Sequence, residues 1–118
     1  MIAHITTQAD WDAAQIAGVY TTPSLEREGF IHCSEMTAQQ LLAVANAVYA
    51  GQAGLVLLII DPDRLDTELR YEEFESSGLY RSYIHRPHVY GPINLGAVVR
   101  AVPFAPQLDG MFTLPEGF

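Results

Sequence analysis

Phe30-Ile31-His32-Cys33-Ser34 sets an imidazole and a hydroxyl two residues apart in an otherwise apolar run. In an extended strand residues two apart share a face, so His32 and Ser34 point one way while Ile31 and Cys33 point into the core. Ile2 to Thr6 has the same character, with His4 and Thr6 on one face. If the two strands are neighbours, His4, Thr6, His32 and Ser34 offer four hydrogen-bonding groups to one surface. A further cluster, Pro87-His88-Val89-Tyr90-Gly91-Pro92, places imidazole beside phenol in a segment stiffened by two prolines. If that segment is extended, His88 and Tyr90 fall on one side and can wall the same pocket as His32.

Other chemistries are narrowed by residue type. The chain has no lysine, which removes Schiff-base chemistry and the lysine-bearing phosphate loop. Cys33 follows His32 directly, so the two face opposite sides of a strand and the imidazole is badly placed to activate the thiol. Of four histidines only His85 and His88 are closely spaced, without a helix-borne or cysteine-rich metal signature, so no metal is expected. The competing readings are structural: His32 as a paired core histidine, His4 as a solvated strand residue, and Tyr90-Gly91-Pro92 as a turn.

The elements that must hold these residues fit in one domain. A chain of 118 residues that is 49% hydrophobic supports one core, placed at about residues 1–102 with 103–118 as a C-terminal extension. Its longest apolar run, Leu55 to Ile60, is too short to cross a membrane, and a single cysteine suits a reducing cytoplasm. Six scattered arginines against fourteen acidic residues give a net charge of −8, which disfavours nucleic acid as a partner. A monomer that takes a small molecule is the expectation.

Thr7 with Asp10, and Thr37 with Gln40, have the spacing of helix N-terminal capping pairs. The first helix carries Trp11 and Ala14 and stops at Gly18; the second repeats Leu41, Val44, Ala45 and Val48 at helical spacing before Gly51. A helical turn is placed from Ser24. Leu55 to Ile60 reads as a strand buried on both faces, ended by Asp61-Pro62. Further strands are placed at Leu69 to Phe74, Leu79 to Ile84, His88 to Ile93 and Ala97 to Val102.

Trp11, Gly18, Ser24, Gly29 to Ser34, Gln40, the Leu55 to Asp61 segment and Pro87 to Ile93 together resemble an uncharacterised bacterial family, domain of unknown function 952. That family is grouped with the ADP-ribosyltransferase-like superfamily. The resemblance implies an α+β fold in which two small mixed or antiparallel sheets, flanked by helices, form a cleft for NAD. A more distant similarity to NAD-dependent RNA 2′-phosphotransferases runs through His4-Ile5-Thr6, Ile31 to Ser34 and Leu57 to Asp61. It implies transfer of ADP-ribose or NAD-dependent removal of a phosphate. Under that reading His4, Thr6, Ser34, His88 and Tyr90 bind the nucleotide and His32 is catalytic. A carboxylate must also steady charge on the ribose carbon; Glu28, Glu35, Glu72 and Glu73 are available, and Glu73 or its neighbour Glu72 is preferred. No glutamate follows Tyr90 near the last strands, where many such enzymes carry theirs. The alternative is a non-catalytic module that binds a small ligand or a protein on the same fold.

Overall fold

A computed structural model describes residues 1–75 and 83–115, with side chains described to residue 72 and again from 85 to 115. The centre is an antiparallel sheet of four strands in the order β4-β1-β5-β9. These strands are β1 (Ile2–Thr7), β4 (Ser34–Glu35), β5 (Leu55–Ile60) and β9 (Val98–Phe104). All six residues of β5 are buried, as its unbroken apolar composition requires of a strand with a core on each face. On one face Ile2, Val56, Leu58 and Ile60 meet Trp11, Ile31 and Val89. On the other, Ala3, Ile5, Leu55 and Leu57 meet Leu41, Ala45, Phe104 and Phe112.

Helix α1 (Gln8–Ala17) starts where Thr7 accepts a hydrogen bond from the Asp10 backbone N–H, and it ends at Gly18 with φ 84°. It buries Trp11 and Ala14. A two-residue strand β2 (Val19–Tyr20) pairs with β8 (Ile93–Asn94), and α2 (Pro23–Glu28) follows. Thr37 caps Gln40 as its spacing predicts, but residues Ala38–Leu42 form a wide π-type turn before the short α3 (Ala43–Val48).

A third sheet has the order β3-β7-β6, from β3 (Ile31–His32), β7 (Tyr83–Tyr90) and β6 (Glu68–Glu75). The described residues therefore form three antiparallel sheets rather than the two expected from the sequence. The expected strands Leu79–Ile84 and His88–Ile93 also divide differently. Residues 76–82 lie outside the described part, while β7 runs from Tyr83 through Pro87 to Tyr90.

Pro87 explains how one segment serves two sheets. The Cys33 N–H donates to the Pro87 carbonyl at 3.0 Å, yet proline has no N–H with which to return the bond. Pairing with β7 therefore stops, and Ser34 pairs instead with Ala3 of β1. The described chain beyond 102 contributes to the packing: β9 extends to Phe104, whose ring stacks on Phe112 at 4.7 Å.

Candidate functional site

The switch at Cys33 brings the polar residues of β1 and β3 together. β4 pairs with only Ile2 and Ala3, so from His4 to Thr7 no described strand covers that edge of β1. A cavity of about 680 Å³ lies against this edge, bounded also by α2 and α3. His4, Thr6, His32 and Ser34 are all among the residues that line it, but not from one strand face: Ser34 pairs with Ala3 and so lies on the face of the sheet opposite His4 and Thr6. Ile31 and Cys33 are buried in the core, 0% and 4% exposed, although Cys33 also borders the cavity. The far wall is apolar, made by Ala43, Val44, Ala47 and Val48 with Tyr49. Arg27 and Arg86, two of the chain's six cations, also line it.

His4 is fixed at both nitrogens. Nδ1 lies 2.6 Å from the His32 carbonyl and Nε2 lies 2.7 Å from the Tyr20 hydroxyl. A carbonyl only accepts, so Nδ1 carries the proton and Nε2 accepts from Tyr20. Close packing disfavours the charged ring and lowers its pKa to about 4, a shift only partly offset by the bond to the His32 carbonyl. Tyr20 is pushed the other way, chiefly by burial, although a hydrogen bond with Thr6 opposes this. His4 is thus a neutral girder that links β1, β2 and β3. Cys33 is sealed beneath, its thiol pushed up to about 12 by burial.

His32 faces outward, with Nε2 2.6 Å from a Glu28 carboxylate oxygen. That bond, together with the charge of the ring, lowers the Glu28 pKa. Glu28 sits in place because α2 ends at Gly29 (φ 86°), where the chain reverses into Phe30 and β3. The Ser24 hydroxyl donates to the Phe30 carbonyl at 2.9 Å and steadies this reversal.

His88 and Tyr90 do not line the cavity; they stand on the outer face of β7. His88 Nδ1 is 3.0 Å from Glu72 Oε1, and the Tyr90 hydroxyl donates to the same oxygen. Those two bonds, Tyr90 first, hold the Glu72 carboxyl below its usual range. Phe30 stacks on the His88 ring at 4.1 Å, and the His32 ring stands edge-on 5.4 Å away. His32 is therefore the residue common to both groups. Arg70 adds a cation over the Tyr90 ring at 4.4 Å while held by Glu68. Glu73 occupies the next position of β6, opposite His85, and its side chain lies outside the described part. Sequence reasoning passed over Tyr20 and Arg27. Tyr20 had a signal in its place just after the helix-ending Gly18, whereas nothing in the sequence tied Arg27 to His4.

The geometry is that of a small α+β domain with a pocket at an open strand edge. A profile of the family described as protein of unknown function (DUF952) matches residues 5–101, and the chain belongs to that family. It is similar along nearly its whole length to protein CC0527 of Caulobacter crescentus. The crystal structure of that protein is 32% identical with a TM-score of 0.80, covering 96% of this chain and 93% of the other. A crystal structure of a double mutant of the same protein gives 31% and 0.79 over the same shares. The solution NMR structure gives 30% and 0.72, covering 99% of this chain and 95% of that one. Comparison with curated proteins gives no match.

Proposed function

We propose that the cavity binds a small anionic nucleotide of the ADP-ribose and NAD class. The observation that carries this reading is the meeting of His4, Thr6, His32 and Ser34 with Arg27 and Arg86 around one cavity, in a chain of net charge −8. Two guanidinium groups at a pocket of an acidic protein favour phosphate over a cation. The hydroxyls of Thr6, Ser24 and Ser34 are suited to a ribose, and Tyr49 with the α3 wall is suited to a planar base. A volume of about 680 Å³ falls within the range of small-molecule sites.

Turnover would draw on His32. Glu28 accepts from its Nε2, which leaves Nδ1 to take a proton from an acceptor group. NAD bound there would supply an activated ribosyl carbon, and Arg27 and Arg86 would hold its phosphates. One observation favours the second reading, binding without turnover: Asp10 is the sole carboxylate among the described lining residues, while Glu28 reaches the cavity only through His32.

Calorimetric titration with NAD, ADP-ribose and nicotinamide tests the proposal, followed by an assay for nicotinamide release. Micromolar binding of NAD and ADP-ribose is expected, weakened on the order of tenfold by Arg27→Ala or Arg86→Ala. Absence of binding at millimolar concentrations removes it. Nicotinamide release that depends on His32 selects the enzyme; binding without release selects the module.

A further inference from the structure

We propose that His32 and His88 form a binding site for a divalent transition-metal cation of the zinc class, independent of what the cavity itself takes. The argument begins with strand register. His32 and His88 are directly opposed in the β3–β7 pair. The neighbouring pair, Cys33 and Pro87, carries the cross-strand hydrogen bond, so His32–His88 is the alternate, non-hydrogen-bonded type, whose side chains stand closest.

Each imidazole has one nitrogen on a glutamate and the other available. His32 gives Nε2 to Glu28 and His88 gives Nδ1 to Glu72, which leaves His32 Nδ1 and His88 Nε2 as lone-pair donors. A carboxylate on the far nitrogen fixes the tautomer and ring direction and raises the basicity of the near one, the arrangement that surrounds metal-bound histidines. The Glu72 carboxylate is itself anchored by Tyr90.

His88 supplies an independent sign. The residue is 5% exposed, and its Nε2 is buried with no hydrogen-bond partner. Its other nitrogen, Nδ1, is held by Glu72 on β6, which flanks β7 on the side away from β3. A buried nitrogen left unpaired is destabilising, and a cation in the ring plane satisfies it. Phe30 lies over the ring face, 17° from parallel, rather than at its edge.

The spacing agrees. Two imidazoles on a tetrahedral cation with metal–nitrogen bonds of about 2.0–2.1 Å have ring centres about 5.2 Å apart. The observed separation is 5.4 Å. Among the described residues no third His, Cys, Asp or Glu completes the set, so the other positions fall to water.

Titration of the full chain with Zn²⁺ at neutral pH, read by calorimetry and by imidazole ¹⁵N shifts, tests the site. One ion per chain with micromolar affinity is expected, perturbing His32 Nδ1 and His88 Nε2. His32→Ala and His88→Ala should each weaken binding at least about tenfold and Glu72→Gln about tenfold, with His85→Ala unchanged. The His32 side chain is 44% exposed, so its replacement spares the core and keeps the test decisive even where His88→Ala melts early. Affinity no better than millimolar, or binding retained in either histidine variant, overturns the proposal.

Discussion

The Tyr20 hydroxyl donates to His4 Nε2 at 2.7 Å, tying the first strand to the segment that follows the first helix. The opposite nitrogen of the ring reaches the His32 carbonyl at 2.6 Å, so one neutral imidazole sets the distance between three strands at the cavity. The chain relies on this ring staying uncharged.

Stability should therefore fall with acid in a window set by His4. Its folded pKa is about 4 against 6.5 for the unbound group. Below pH 6.5 the unfolded chain takes up a proton that the folded chain refuses. The contribution is complete above 6.5 and disappears as pH falls to about 4, on the order of 3 kcal/mol at most. Thermal melts from pH 7.5 to 4 should show a steeper loss in the native protein than in His4→Gln. Parallel curves would remove the assignment.

Tyr20 and His4 should be energetically coupled. Tyr20→Phe leaves Nε2 without its donor, at a cost of about 1–2 kcal/mol. A double-mutant cycle with His4→Gln should give a coupling of about 1 kcal/mol. Additive losses would mean that the bond contributes nothing in solution.

Gly91 is required by contact as much as by backbone. It has φ 155°, and a Cβ there would lie 2.5 Å from Thr67 Cγ2. Gly91→Ala should lower stability by about 2–3 kcal/mol, and Thr67→Ala should restore part of it in the double variant. Chemical denaturation measures both, and an unchanged midpoint for Gly91→Ala would contradict the contact.

Phe112 should behave as a core residue although it lies beyond the last strand. It is 3% exposed and stacks on Phe104, and its N–H donates to Asn46 at 2.7 Å. Phe112→Ala should cost about 3 kcal/mol or more, and removal of residues 103–118 should abolish the cooperative melt. A truncated chain that melts like the whole would make the segment an appendage.

Cys33 should resist thiol reagents in the folded protein. Its pKa near 12 and 4% exposure leave almost no accessible thiolate at neutral pH. Labelling should be slow natively and rapid in denaturant; fast native labelling would show that the β3–β4 segment opens readily.

Much of the local structure was legible because short-range physics fixes it. Thr7 and Thr37 cap the turns that their spacing predicts, Gly18 ends α1, and the apolar run at Leu55 to Ile60 is buried on both faces. Alternation separates exposed His32 from buried Ile31 and Cys33, but Ser34 is buried too, because the chain changes sheets at Cys33. The ends of β7 were misplaced because a proline inside a central strand reads as a break. Here its missing N–H faces Cys33 just past the end of β3, so only the return bond of that one pair is lost.

The sequence by itself determined which residues are polar on which strand face, and hence that His4, Thr6, His32 and Ser34 were able to share a pocket. Only the tertiary structure decided that they do, and that Arg27 and Arg86 join them while His88 and Tyr90 stand behind His32 on Glu72. Pairing of β3 with β7 and of β4 with β1 joins segments distant in the chain, and such register is settled by burial of the whole sheet rather than by any local pattern.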